Sequence, residues 1–265
     1  RPSSKGGIVP AVRPTRRELL ASAAAGLAVR PLAARQAPAA AAPAGFDPWV
    51  EVHAAHLQHN LREVARAAAG QPVLAVIKNN GYGLGVTTVA RQLEAAPAVA
   101  GFAVVKRQEA EAVRDAGVTR PVLLMGPVAA DELADLHRRD IMPMVYTPLG
   151  AALARAAATS GRPVRIHVCV DTGIGRVGVP HGQAESLIRD LAGRRGVQID
   201  GVMMTFTEDL EFDREQLRRF EALAGRLRAG GVPIGRRHAA STYTLFQHPD
   251  ATLDMVRPGM ALWGI

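Results

Sequence analysis

The sequence predicts an α/β fold, specifically a (β/α)8 TIM-like barrel. From about residue 70 onward, short apolar runs alternate with amphipathic stretches, which is the rhythm of βα units around a parallel sheet. The composition, 48% hydrophobic but only 4% aromatic, indicates a core of small aliphatic side chains. Polar turns with glycine directly follow three of the apolar runs, as expected where the carboxyl ends of barrel strands form a site.

The predicted elements follow one another at short intervals, as one barrel-sized domain requires. Strands are predicted at 73–77, 101–105, 122–126, 142–146, 164–170, 201–206 and 237–240, with an eighth at 255–263. Helical periodicity is present at 86–93, 106–116, 131–138 and 214–227. The stretch 49–52 is also strand-like and precedes the series.

Residues 1–45 differ in character from the rest of the chain. Arg16 and Arg17 precede the short apolar run 21–29, and alanines follow that are small enough for signal peptidases. This pattern predicts a twin-arginine export signal and a periplasmic protein, with a cytoplasmic location as the alternative. The competing interpretation is a disordered tail rich in alanine and proline. The folded domain is predicted over residues 46–265.

The positive charge lies mostly in this leader. The net charge is +8, and residues 1–45 hold seven basic side chains against one acidic one, which leaves +2 for the other 220 residues. Such a nearly neutral domain has no evident basic stripe and few aromatic residues for base stacking. Nucleic acid is therefore not an expected partner. The single cysteine, Cys169, excludes an internal disulfide, has no partner for a metal site and is predicted to be buried.

Lys78 is the strongest indication of a catalytic site. It is one of three lysines among 32 basic residues, and it stands between the apolar run 73–77 and the glycine-rich turn 79–85. Unlike arginine, a desolvated lysine can lose its proton and form a Schiff base with an aldehyde cofactor. A solvated charge at a strand end is the plainer interpretation. The glycines and the Tyr82 hydroxyl favour a site, because they allow the backbone to approach a ligand closely.

Segment 73–85 resembles the cofactor-lysine motif V-x-K-A-N-A-Y-G-H-G of the alanine racemase family, fold-type III enzymes that use pyridoxal 5'-phosphate. The matching positions are Lys78, Asn80, Tyr82, Gly83 and Gly85, and the departing ones are Asn79, Gly81 and Leu84. The resemblance covers roughly residues 48–265. It implies that Lys78 is catalytic, forms the internal imine with the cofactor and exchanges one Cα proton of an amino-acid substrate.

Three further motifs resemble the same family. Residues 171–176 are similar to D-T-G-M-G-R, which implies that Arg176 approaches the phenolic oxygen of the cofactor and the substrate. Residues 238–242 are similar to H-x-A-N-S, which implies that Thr242 binds the cofactor phosphate and that His238 flanks it.

Residues 256–264 are similar to V-R-P-G-I-A-L-Y-G. The resemblance implies that Arg257 faces the pyridine nitrogen and keeps it unprotonated. It also implies that the amides of Gly259 and Met260, with the hydroxyls of Tyr82 and Thr242, cradle the phosphate.

Several features depart from the family pattern. Cys169 stands where the family usually has a lysine, and Thr205 where it has a histidine. Family members also have a C-terminal β domain, which supplies a second catalytic base, a tyrosine, to the partner subunit. We expect this chain, which does not begin with methionine, to be a fragment or a truncated product without that domain, and the full-length form to be a homodimer.

The expected function is that of a pyridoxal-phosphate-dependent racemase, an isomerase that converts L-alanine to D-alanine, a peptidoglycan precursor, or acts on a related amino acid. The alternative is a cofactor-binding barrel without racemase turnover, because the C-terminal domain and its tyrosine are missing. An aldolase or decarboxylase of the same fold is disfavoured by Arg257. No metal is expected.

Overall fold

A single curled sheet of parallel strands organises the computed structural model, which describes residues 51–265. The leader 1–45, with Trp49 and Val50, lies outside the described residues. The strands are β1 (Val73–Val76), β2 (Val99–Val104), β3 (Val122–Leu124), β4 (Ile141–Val145), β5 (Val164–Asp171), β6 (Val179–Pro180), β7 (Val197–Met203) and β8 (Arg236–His238). Their order is β1-β2-β3-β4-β5-β7-β8, and β6 pairs with β5 alone. The seven strand positions predicted from the apolar runs are therefore confirmed, with shifted ends.

Segment 254–258 is hydrogen-bonded to both edges of this sheet. On the β1 side, the Leu74 amide donates to the Val256 carbonyl at 2.9 Å, and the Val256 amide donates to the Pro72 carbonyl at 3.0 Å. On the β8 side, the Arg257 amide donates to the Ala240 carbonyl at 2.8 Å. The first and last strands thus share one neighbour.

The predicted eighth strand at 255–263 is wrong in its extent. Only Val256 forms a bridge, with Val73, and Met260–Trp263 is a 3-10 helix. The reason is local, because Pro258 has no amide to donate to a ladder. The strand-like stretch 49–52 is also not borne out at Glu51 and Val52, which have no strand structure.

Helices follow most strands and cover one face of the sheet. They are α1 (Ala54–Ala67), α2 (Val86–Glu94), α3 (Arg107–Asp115), α4 (Leu133–Arg138), α5 (Gly150–Ser160), α6 (His181–Ala192), α7 (Leu210–Ala229) and α8 (Thr242–Gln247). The sequence analysis predicted α2, α3, α4 and α7 but not α1, α5, α6 or α8. Between residues 51 and 265, no helix has the length and apolar character needed to cross a membrane.

The face of the sheet opposite the helices has its own core, which is rich in sulfur. Side chains at alternate strand positions, the period of a pleated strand, point to this face. We call this cluster the inner core; its members are Leu74, Val76, Ala103, Leu123, Met142, Met144, Cys169, Met203 and Met255. Cys169 is 1% exposed, which confirms the predicted burial.

Candidate cofactor site

The residues singled out by the motifs lie at the carboxyl ends of the parallel strands. Lys78 follows β1, Asp171 ends β5 and His238 ends β8. The Val76 amide donates to the Pro258 carbonyl at 3.0 Å, so the backbone leading to Lys78 runs beside the segment that carries Arg257. In parallel α/β folds this edge of the sheet is where ligands bind.

The turn after Lys78 is left-handed. Asn79, Asn80, Gly81 and Tyr82 have φ angles of 55°, 55°, 62° and 55°. The Gly81 amide donates to the Ile77 carbonyl at 3.0 Å, which makes the segment a single left-handed helical turn. Asparagine and glycine tolerate this conformation best. The glycine-rich sequence therefore produces a defined turn, not a loose one.

A buried carboxylate, that of Glu109, braces this lysine turn. The side chain is 8% exposed and its Oε1 accepts a hydrogen bond from the Asn80 amide at 2.7 Å. Its Oε2 accepts from the amide of Lys106 at 3.1 Å, at the start of α3. Sequence reasoning missed Glu109. The available signal was a glutamate three residues after the start of a predicted helix, the spacing of a capping box.

Arg257 is buried and held almost completely by backbone oxygens and an imidazole. Its Nη1 donates to the carbonyl and to Nδ1 of His238, at 2.6 and 2.9 Å. Its Nη2 donates to the carbonyls of Met204 and Ala239, at 2.7 and 3.3 Å. Burial lowers the pKa of Arg257 to about 10, so the group stays cationic at neutral pH. Of its five N–H donors, only Nε–H has no acceptor within residues 51–265.

Thr242 gathers two backbone amides at the start of α8. Its Oγ1 accepts from the amides of Gly259 and Ala261, both at 3.1 Å. The Tyr82 hydroxyl lies directly against Gly259, where a Cβ would collide with it. Burial raises the pKa of Tyr82, which keeps its hydroxyl a neutral donor. Met260, which was predicted to contribute its amide, is 46% exposed, and the amide of the next residue, Ala261, shares Thr242 with Gly259.

These groups fit a phosphate ester. The hydroxyls of Tyr82 and Thr242 converge where residue 259 has no side chain. Because Thr242 Oγ1 accepts from the amides of Gly259 and Ala261, its own O–H remains available to donate to an anion. The free Nε–H of Arg257 suits a ring nitrogen that accepts a hydrogen bond, because a guanidinium can only donate. The donor set of the described residues is thus compatible with pyridoxal 5'-phosphate.

The remaining predicted residues lie around this group. Arg176 is exposed on the loop after β5, and its positive charge contributes to lowering the pKa values of Arg257 and Cys169. Burial dominates at Cys169 and raises its pKa to about 11, so the thiol is neutral. Thr205 follows β7, and its carbonyl accepts from Gln216 Nε2 at 3.2 Å.

This parallel α/β sheet, with a lysine, a buried arginine and two hydroxyls at one edge, resembles the cofactor-binding part of a pyridoxal-phosphate enzyme. The family described as alanine racemase, N-terminal domain, matches residues 52–265. The chain belongs to this family.

Curated relatives and solved structures agree with this assignment. The chain is 36% identical over 230 residues to the alanine racemase of Sorangium cellulosum, and the aligned region covers 81% of this chain and 60% of the relative. It is 35% identical over 222 residues to that of Syntrophobacter fumaroxidans, which covers 82% and 59%. The alanine racemase of Clostridium difficile in complex with cycloserine has a TM-score of 0.75 at 25% identity, covering 79% of this chain and 59% of that one.

Two further structures extend the comparison. The alanine racemase of Bacillus anthracis with bound L-Ala-P has a TM-score of 0.73 at 25% identity, covering 84% of this chain and 59% of that chain. A histidine racemase from Leuconostoc mesenteroides shares the fold, with a TM-score of 0.72 at 22% identity, over 80% of this chain and 58% of its own. The chain spans about 60% of the length of the curated relatives it matches.

Proposed function

We propose that this chain is the cofactor-binding part of a pyridoxal-phosphate-dependent racemase that interconverts L- and D-alanine or a related amino acid. The observation that carries the proposal is the juxtaposition of two strand ends. The Val76–Pro258 hydrogen bond sets the lysine turn beside the segment of Arg257, whose guanidinium bonds only backbone carbonyls and an imidazole in the part of the chain described. An enzyme that needs a reactive amine and a permanent cation at one cofactor would use this pair.

Each group in the site has a separate task. Pyridoxal phosphate, when bound, withdraws electrons from the substrate Cα and makes its proton acidic. Lys78 supplies the amine that holds the cofactor and carries one proton to or from Cα on its side of the substrate. Arg257 would donate its Nε–H to the ring nitrogen, Thr242 beside Gly259 would hold the phosphate, and Arg176 would orient the phenolic oxygen or the substrate carboxylate.

Racemisation needs a second proton carrier on the opposite side of Cα. We propose that a tyrosine of the partner subunit in a homodimer supplies it. A second candidate function, cofactor binding without turnover, is supported by Cys169 and Thr205, which replace the lysine and histidine of the family motifs. A neutral, buried thiol contributes no charge beside Arg176.

A pair of lysine variants tests the cofactor assignment. Lys106 also lies just beyond a strand end, that of β2, and is exposed, so Lys106→Ala is a matched control for Lys78→Ala. We expect Lys78→Ala to lose the visible absorbance of lysine-bound pyridoxal phosphate and Lys106→Ala to keep it. Absorbance that persists in Lys78→Ala would contradict the assignment. Conversion of L- to D-alanine by the wild-type chain would exclude the binding-only alternative.

We further propose that the sheet is a complete (β/α)8 barrel over residues 46–265, closed by segment 254–258. The leader 1–45 would direct export through the twin-arginine route to the periplasm. Fusion of residues 1–45 to a reporter tests the second point. Replacing Arg16 and Arg17 by lysine should abolish export, whereas Arg30→Lys should not, and equal export of both fusions would exclude this route.

A further inference from the structure

A second buried histidine, His167, extends the contacts of Arg257 into the sheet. His167 lies on β5 and is 4% exposed, and its Nδ1 is 2.8 Å from Nε2 of His238. His238 is fully buried, and its other ring nitrogen, Nδ1, is 2.9 Å from Arg257 Nη1. Gly201 on β7 makes room for this pair, because a Cβ there would lie 2.6 Å from His167 Nδ1. The three side chains form one line of hydrogen bonds, Arg257–His238–His167.

The direction of every hydrogen bond in this line follows from its first member. A guanidinium has only donors, so His238 Nδ1 must be unprotonated and accept. The ring proton of His238 therefore sits on Nε2 and is donated to His167 Nδ1. His167 Nδ1 must in turn be unprotonated, which leaves both imidazoles neutral. Burial, which lowers the pKa values of both histidines, acts in the same direction.

We propose that His167 is a positioning residue for Arg257, acting by fixing the tautomer of His238. The proposal rests on the proposed function, in which Arg257 Nε–H serves the cofactor ring. If the proton of His238 were on Nδ1, that N–H would face the Nη1–H donor of Arg257. The guanidinium would then have to rotate, which would weaken its hydrogen bonds to the surrounding acceptors. By accepting at Nε2, His167 makes that tautomer unfavourable and keeps Arg257 the only cation of the three.

Imidazole tautomers can be measured without any cofactor. We expect nitrogen-15 NMR of the ligand-free chain to show His238 and His167 both unprotonated at Nδ1 and protonated at Nε2. His167→Leu removes the acceptor, so a second, Nδ1-protonated form of His238 should appear. His167→Asn offers Oδ1 near the position of Nδ1 and should restore the wild-type tautomer. An Nδ1-protonated His238 in the wild type, or a His238 spectrum unchanged by His167→Leu, would overturn the proposal.

Binding of pyridoxal phosphate gives the second readout. Loss of the His238–His167 hydrogen bond is expected to weaken binding about tenfold in His167→Leu, with recovery in His167→Asn. The control is His137→Leu, since His137 is equally buried at 7% but bonds Ser160 Oγ at 2.7 Å, outside the Arg257 network. It should lower the melting temperature and leave binding unchanged.

The outcomes separate the two proposals. Equal weakening by His137→Leu and His167→Leu, or no recovery in His167→Asn, would assign His167 a purely structural role. If the wild type binds no pyridoxal phosphate, the proposed function is wrong, and the tautomers of the ligand-free chain alone decide the role of His167. If His167→Leu does not fold, the wild-type and His167→Asn spectra still decide it.

Discussion

Glu109 shows how one carboxylate can hold a reactive turn in place. It accepts hydrogen bonds from the amides of Asn80, Val105 and Lys106, and it has no cationic partner among residues 51–265. Replacing Glu109 by Ala should lower the free energy of unfolding by about 3 kcal/mol, because buried amides lose a charged acceptor. The displaced turn should also bind pyridoxal phosphate more weakly, as measured by absorbance titration.

The control for this prediction lies on the same helix. Glu111 pairs with Arg107 at 2.8 Å on the surface of α3. Glu111→Ala should cost less than about 1 kcal/mol, as surface ion pairs do. Equal losses in the two variants would show that Glu109 has no special role in the turn.

The buried His167 predicts how stability changes with pH. Its pKa is lowered from 6.5 to about 4 by burial. Between pH 6.5 and pH 4, His167 is therefore protonated in the unfolded chain and neutral in the folded chain. The contribution of His167 to the free energy of unfolding is therefore complete above pH 6.5. It is lost as the pH falls to 4, by about 3 kcal/mol in total. Urea unfolding from pH 7 to 4 should have a flatter profile in His167→Asn than in wild type.

The sequence was most informative about single residues that belong to a contiguous motif. Lys78, Arg257 and Thr242 were found because each lies in a short contiguous segment that resembles a motif of the family. Glu109 and His167 were missed for a physical reason. Their partners come from 29 and 71 residues away, and periodicity marks which side chains are buried without saying what they contact.

At the scale of elements, the lysine turn should be sensitive to replacement of its glycine. Gly81 has a φ of 62°, and a Cβ there would lie 3.3 Å from the Val86 amide. Gly81→Ala should lower the free energy of unfolding by about 1–2 kcal/mol, the cost of a left-handed residue with a Cβ. Gly225→Ala, within α7 and with open space around it, should raise it by about 1 kcal/mol. Changes of the same sign in urea unfolding would contradict the left-handed assignment.

Elements were predicted well where strands and helices differ in pattern. The apolar runs located seven strands, since parallel strands buried on both faces are continuously apolar. Helices α5 and α6 were not predicted because alanine and glycine make the apolar stripe of a helix hard to recognise, as in the sequence of Gly150–Ser160. The eighth strand was overextended because the apolar run 260–263 contains no signal that separates a strand from a 3-10 helix.

At the scale of the whole molecule, segment 254–258 connects residues that are far apart in sequence. Val256→Pro removes the amide that donates to Pro72, whereas Val256→Ala shortens the side chain and keeps the donor. Only the proline variant should release the β1 edge of the sheet from segment 254–258. Hydrogen exchange of the Leu74 amide, which donates to Val256, should then accelerate, while the Phe102 amide, which donates to Pro121 within the sheet, should be unaffected. Equal acceleration at both amides would indicate general destabilisation.

Oxidation of the methionines in the sulfur-rich inner core can report when the sheet of this chain opens. Met142, Met144, Met203 and Met255 are at most 4% exposed, whereas Met260 is 46% exposed at the mouth of the site. Peroxide converts an accessible thioether to a polar sulfoxide, which a closed apolar core does not admit. In the intact molecule, oxidation should therefore be confined to Met260 and the half-buried Met125, and it should reach the four inner-core methionines only when the sheet opens. The mass of the chain after timed exposure to peroxide then reports the fraction of molecules whose inner core has opened.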